Sequence, residues 1–408
     1  MKAVDRKTGS KEDSKPKAKV SKYSYLMMLG HAMADVPQGS LSAVLPFLIA
    51  EHHYSYAAAA GLVLVSNLLS AVTQPIFGWL GDRDERPWFI IAGMMLAAAG
   101  ITLVGFFDNY VACCVAVVTI GIGVSLFHPE GSKLANIASS DTNKGTAMGI
   151  FAVGGNVGFT GGPILATVAI LAFGLKGTAV FMVPAIVASA LFVPHLGDLK
   201  RIGREYKTQL REDTKSGEMP PDNVKGFAAV AIVVFFRSVI MISLNTFIPL
   251  YWIGVFMSSM AAGNIQLSIF AAVGIVATLV GGRLADVIGF RLLFRICTIA
   301  LPPFLFLFAF CRTPASGTVL ILIVSVLVFM CHSAFTITGQ SFMPNHMGMA
   351  SGVLFGLTVS IGGFFAPLIG RIGDVYGLEQ AMLAVACFSI GSLVAVFFIP
   401  KPQIGPKG

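Results

Sequence analysis

A carboxylate, an imidazole, an amide and a hydroxyl line one face of the first apolar stretch: His31, Asp35, Gln38 and Ser42, at i, i+4, i+7 and i+11. An ionisable group near the centre of a lipid-spanning helix costs about 2.5–3.5 kcal/mol on insertion scales, so it must face a cavity or a partner. A carboxylate one turn from an imidazole can take up and release a proton, which makes Asp35 with His31 the first candidate for proton coupling. Pro37 removes a backbone donor and leaves the Met33 carbonyl free for a ligand or water. The other reading of the stripe, an interhelical hydrogen-bond network, stays open. A second proton candidate is Glu130.

Arg237 lies at a comparable depth in a later apolar run, with Asn245 two turns on and Pro249 beyond it. A fixed cation there suits an anionic substrate such as a phosphonate or carboxylate, and can instead pair with Asp35 between turnovers or form a permanent salt bridge. His128 and His332, with Gln340 on the face of the latter, fall toward one end of their runs and are expected to approach each other as a gate. Packing or capping histidines are the other reading. Asp82 and Asp286 follow helix ends in tight turns, where a carboxylate can bond neighbouring helix N-termini and Arg83 in one conformation only, or merely set turn geometry.

Which elements must hold these groups follows from composition. The 408 residues are 55% hydrophobic and 12% charged, with a mean hydropathy of +0.80, too little polar surface to cover a water-soluble globule. Apolar runs long enough to cross a bilayer recur at about 24–50, 57–81, 88–107, 110–138, 143–173, 177–196, 226–253, 258–286, 291–311, 315–340, 347–375 and 378–400. They are continuous and not alternating, so the spans are twelve helices and not a β-barrel. The first reads as a retained span, since no small-residue cleavage site follows it.

Lys and Arg crowd residues 2–22, the stretch 197–224 and the loops holding Arg83, Arg86 and Arg291, which predicts cytoplasmic termini in a cell membrane. That bias accounts for the net charge of +8 without a nucleic-acid partner. The expected division is a basic tail (1–22), a six-helix bundle (23–196), a mobile linker loop (197–224), a second bundle (225–400) and a short tail (401–408). Six cysteines without CxxC spacing read as small buried hydrophobes. No Walker A run, metal-spaced His/Cys cluster or nucleophile elbow is present, which leaves ATP-driven pumping, a cofactor, a metal site or hydrolytic enzymology without support.

The two halves repeat. Gly78-Trp79-Leu80-Gly81-Asp82 matches Gly282-Arg283-Leu284-Ala285-Asp286 at an offset of 282 − 78 = 204. Gly158 and Pro163 match Gly362 and Pro367, and His128 matches His332, at the same offset. Parallel repeats imply a cavity between bundles that opens alternately to each side.

These features resemble the major facilitator superfamily. Gly78-x-Leu80-Gly81-Asp82-Arg83-x-x-Arg86 is similar to its loop motif between spans 2 and 3, with Glu85 and Pro87 departing from it. Gly149, Gly158, Gly162 and Pro163 fit its proton-antiporter pattern in span 5, with Ala166-Thr167 where glycines are usual. Val117 stands where antiporters of the superfamily carry a span 4 arginine. A narrower resemblance, to the fosmidomycin resistance proteins, rests on Gly30-His31-x-x-x-Asp35-x-x-Gln38, Phe127-His128-Pro129-Glu130, Gly154-Gly155-Asn156-x-Gly158 and Gly348-Met349-x-Ser351-Gly352.

The resemblance implies proton-coupled export of small, often anionic drugs by a monomer in a bacterial membrane. It implies a latch at Gly78, Asp82, Arg83 and Asp286 for the outward-facing state; the residues themselves point to close packing at the span 5 and span 11 glycines and prolines and to a cavity with Gln38, Ser42, Asn156, Arg237 and Asn245. An importer or uniporter of an organic anion on the same scaffold is the alternative; a receptor or channel that has lost transport fits the intact stripe less well.

Overall fold

The computed structural model describes residues 20–54, 56–140, 142–216, 221–258 and 260–401. Most of the expected basic tail and nearly all of the 401–408 tail lie outside the described residues. The helices are α1 (Lys22–His52), α2 (Tyr56–Arg83), α3 (Trp88–Val104), α4 (Tyr110–Ile137), α5 (Lys144–Phe173), α6 (Met182–Phe192), α7 (Leu196–Ser216), α8 (Val224–Gly254), α9 (Met260–Ile288), α10 (Phe290–Ala309), α11 (Pro314–Met330), α12 (His332–Phe342), α13 (Met347–Tyr376) and α14 (Leu378–Phe397). Among the described residues there is no strand.

Every apolar run of the sequence falls on a helix, two of them in pieces. The run at 177–196 is a 3-10 stretch, Leu175–Phe181, followed by α6, and the run at 315–340 is α11 and α12 broken at Cys331. Among the described residues nine helical segments have the length and apolarity to cross a bilayer, and Trp88–Val104 is apolar but shorter. Leu64, Leu68, Val72 and Ile76 make an exposed stripe along α2, as do Ile164, Val168 and Leu171 on α5, a surface whose natural solvent is lipid. Asn109, Asn223 and Thr313 begin α4, α8 and α11 by accepting backbone N–H groups that would otherwise be orphaned.

One expectation is corrected here: much of 197–224 is helix and not loop. In α7, Leu199, Ile202, Tyr206 and Leu210 recur at helical spacing, and Leu199 and Leu210 are buried while Arg201, Arg204 and Glu205 face outward. A low apolar content had read as a linker, yet an amphipathic face needs only such a stripe. Tyr23 Oη donates to Asp198 (2.9 Å), and Lys207 Nζ donates to the carbonyls of Asp82 (2.7 Å) and Arg83 (2.8 Å). This helix straps the ends of α1 and α2, and we call that side of the molecule the linker end.

Helices α1–α6 pack among themselves, α1 most extensively along α5, and α8–α14 do likewise, with α8 against α13 and α14. The two sets meet through α2 with α13 and α5 with α9. Both crossings are made by glycines. A Cβ on Gly78 would collide with the Gly348 carbonyl, and one on Gly282 with the Gly145 carbonyl, so only glycine lets the backbones touch there.

Candidate functional site

Asp35 is 2% exposed, and its carboxylate is held between two imidazoles. His31 Nε2 lies 3.2 Å from Oδ2 and His128 Nε2 lies 2.8 Å from Oδ1. His31 Nδ1 is 2.7 Å from the Phe151 carbonyl, which can only accept, so that nitrogen carries a hydrogen. A neutral His31 then turns a lone pair toward a carboxylate, unless one further proton sits on His31 Nε2 or Asp35 Oδ2. His128, as its Nε2–H tautomer, donates to Oδ1 without needing an extra proton. The geometry therefore has a place for one shared proton among the three groups. By residue type the three groups could ligate a metal, their ligand atoms lying within 4.8 Å of one another. The separations of 2.8 and 3.2 Å are also those of hydrogen bonds, so the same three groups can hold a proton between them.

The triad exists because α5 is stripped of side chains beside it. A Cβ on Gly155 would lie 2.8 Å from both Asp35 Oδ2 and His31 Nε2, and one on Gly158 would lie 2.8 Å from Asp35 Cβ. Gly162 approaches the Val36 carbonyl, continuing the contact of α5 with α1. Phe151 stacks on His31 with ring centroids 4.1 Å apart, and His128 meets Phe355 at 5.4 Å. Low exposure and aromatic walls keep water from competing for these hydrogen bonds.

Three placements differ from the sequence reading. His128 is a triad member and does not meet His332; Phe355 stands between them, 5.4 Å from one ring and 6.5 Å from the other. Two turns nearer the linker end, the pair that does meet across the halves is Asn136 and Gln340, whose side-chain amides hydrogen-bond at 2.5 Å. Their numbers differ by 340 − 136 = 204, the offset that singled out the histidines, so the repeat held the signal for Asn136 beside Gln340, which was expected at the gate. Gln340 Nε2 also donates to Ser132 (3.1 Å) and Ser351 (2.8 Å).

Nor does Arg237 pair with Asp35. It is 6% exposed, and Nη2 donates to the Val328 carbonyl, in the last turn of α11 before the break at Cys331. Its guanidinium lies 5.5 Å from the Phe335 ring, and among the described residues its Nε and Nη1 have no hydrogen-bond partner.

Glu130, in turn, is not near solvent at 2% exposure; its Oε2 pairs with Lys133 Nζ at 2.9 Å. Lys133 also reaches Glu85 (3.2 Å) and the Gly81 carbonyl (2.9 Å), forming a buried network at the linker end with one cation and two carboxylates. Lys133 went unremarked in the sequence, and Glu85 was noted only as a departure from the loop motif, because single charges near a predicted helix end read as topology signals.

The remaining groups are placed as follows. Asp82 accepts from Gly348 N and Met349 N, each at 2.8 Å, at the start of α13. Asp286 accepts from Gly145 N (2.6 Å), Thr146 N (2.8 Å) and Thr146 Oγ1 (2.6 Å) at the start of α5. Each half therefore caps a helix of the other with a carboxylate, where the helix dipole favours negative charge. Arg83 turns away from Asp82 and lies over the Trp79 ring at 4.2 Å. Gln38 Nε2 donates to Asn67 (3.1 Å), Ser42 is exposed, and Asn245 Nδ2 donates back to the Met241 carbonyl (2.9 Å). Asn156 is half-buried. Gly149 packs on the Thr278 carbonyl and Gly362 on α8, where its N–H donates to Ser238 Oγ (2.9 Å). Pro163 and Pro367 lie inside α5 and α13.

Comparison with known proteins agrees with this architecture. The chain is 28% identical over 378 residues to the fosmidomycin resistance protein of Escherichia coli (strain K12), covering 90% of each chain. It is 23% identical over 335 residues to the multidrug resistance protein MdtG of Rahnella sp. (strain Y9602), covering 76% of this chain and 78% of the relative. A crystal structure of a double-tryptophan XylE mutant superposes with a TM-score of 0.74 at 13% identity, over 93% of this chain and 96% of that one, a likeness of fold alone. The Major Facilitator Superfamily profile matches residues 27–367. With its all-helical bundle and carboxylate-capped crossings, the chain belongs to the Major Facilitator Superfamily, a family of secondary transporters and not of enzymes.

Proposed function

We propose that this protein is a proton-coupled exporter of a small amphiphilic or anionic compound of the fosmidomycin kind, working by alternating access as a monomer. The observation that carries the reading is the buried triad of Asp35, His31 and His128, whose hydrogen-bond pattern accommodates one shared proton. A group that binds a proton at the price of a local rearrangement can couple proton flux to a conformational change. Loss of that proton turns the His31 lone pair against the Asp35 carboxylate, loosening α1 from α4 and α5.

In this reading the halves are residues 23–196 and 225–400, rocking about the Gly78–Gly348 and Gly145–Gly282 crossings. The linker end faces the cytoplasm, in keeping with the basic residues gathered there, and is shut by Asp82, Asp286 and the Asn136–Gln340 pair. The relatives named for fosmidomycin and multidrug resistance support export and the substrate class.

The test is expression of wild type and Asp35→Asn in a drug-sensitive bacterium challenged with fosmidomycin. Wild type should protect and the variant should not. Protection by neither, with wild type accumulating an organic anion instead, would replace export by import.

A further inference from the structure

Arg237 is a guanidinium inside a helical bundle with no carboxylate beside it among the described residues, a costly arrangement unless something else supplies the counter-charge. We infer that Arg237 is the docking group for the acidic part of the cargo, an oxyanion such as a phosphonate or carboxylate. The assignment rests on the transport reading above and places the cargo's charge in the second half, apart from the proton triad.

Two independent features support it. One is the unpartnered pair of atoms, Nε and Nη1, which hold three N–H donors, while Nη2 is fixed by the Val328 carbonyl. Anchoring one nitrogen sets the plane of the guanidinium and leaves the other donors committed to nothing. The other is the break between α11 and α12 at Cys331, where φ is −94° and ψ is 8°. Interrupted spanning helices supply backbone groups to substrate sites in transporters, and irregular backbone at membrane depth is tolerated where it lines such a site.

The surroundings suit an oxyanion with a small apolar body. Phe335 covers one side, Cys331 Sγ donates to the Leu327 (3.6 Å) and Val328 (3.9 Å) carbonyls nearby, and His332 lies beyond with its ring 5.0 Å from Phe335. His332 and Phe355 then separate Arg237 from His128 and Asp35. An anion at Arg237 and a proton in the triad thus occupy opposite sides of one aromatic layer.

The experiment uses the purified full chain in detergent and three probes: methylphosphonate, its neutral dimethyl ester, and chloride at matched concentration. Unfolding midpoints and equilibrium binding are measured for wild type, Arg237→Met, Arg237→Lys and Gly161→Ala. In the absence of anion, Arg237→Met should unfold at a higher temperature than wild type, because an uncompensated buried cation has been removed. Methylphosphonate should raise the wild-type midpoint by a few degrees at about a hundredfold excess over Kd. It should bind Arg237→Met on the order of thirtyfold more weakly or worse. Arg237→Lys should fall between the two, and Gly161→Ala should bind as wild type does.

A lower anion-free midpoint for Arg237→Met, with methylphosphonate binding intact, would make Arg237 a structural residue and overturn the inference. Equal stabilisation by chloride or by the neutral ester would also overturn it. Failure of the export reading would appear instead as lost drug resistance with Arg237-dependent binding preserved, so the two can fail separately.

Discussion

Replacing Asp82 with asparagine keeps the size of the side chain and removes its charge and one of its two good acceptor oxygens. In the structure both oxygens are used, each by a backbone N–H at the start of α13 at 2.8 Å. A hydrogen bond to a charged group contributes about 1.5–3 kcal/mol, and the charge at a helix N-terminus adds about 0.3–1 kcal/mol. If opening at the linker end breaks these bonds, Asp82→Asn should favour the open form by about 1.5–3 kcal/mol, roughly ten- to a hundredfold in the ratio of states. A population closed 99:1 would move to on the order of 90:10 to 50:50. The Asp286→Asn change should act alike, since that carboxylate accepts three hydrogen bonds from Gly145 and Thr146. The assay is a pulsed electron-spin distance measurement between labels at Thr142 and Val287, exposed positions on opposite sides of the α5–α9 crossing. A second, longer distance should grow in each variant and dominate in the double variant. An unchanged distribution in the double variant would refute the idea that these carboxylates hold the linker end shut.

Other outcomes follow from the same geometry. Gly155→Ala places a Cβ 2.8 Å from Asp35 Oδ2 and His31 Nε2 and should cost about 1–3 kcal/mol in stability while abolishing proton coupling. Gly161→Ala, with nothing within 4 Å of its Cβ, should leave thermal unfolding and transport unchanged. Lys133→Met leaves Glu130 and Glu85 buried without their cation and should cost about 3–5 kcal/mol, read as a lowered unfolding midpoint that Glu130→Gln in the same chain partly restores. Asn136→Ala and Gln340→Ala should show a coupling of about 0.5–3 kcal/mol in a double-mutant cycle on the closed population; additive effects would mean the pair does not act as one contact.

Apolar runs, a single offset and loop charge were enough to read the helical fold from the chain, because lipid leaves few ways to satisfy a backbone, while the superfamily came from the resemblance of the Gly78–Arg86 and Gly149–Pro163 motifs. Asp35 and His31 were visible as neighbours because they lie one turn apart on one helix. Its other partner, His128, is 93 residues away and became a neighbour only through the glycine face of α5, which brings α1, α4 and α5 within hydrogen-bond reach. Helix α7 was missed for a different reason: its apolar stripe of Leu199, Ile202, Tyr206 and Leu210 was hidden by the charges around it. Lys133 shows the limit of reading charges singly, for only the packed structure distinguishes a solvated lysine from one shared by two buried carboxylates.

The most direct test of the triad is proton movement across proteoliposomes carrying wild type or Asp35→Asn, with an interior pH dye and an imposed fosmidomycin gradient. Wild type should move protons against the drug in proportion to drug flux. The variant should exchange labelled drug across the membrane without any pH change. Drug-dependent proton movement by Asp35→Asn at the wild-type rate would contradict the assignment of the shared proton to Asp35, His31 and His128.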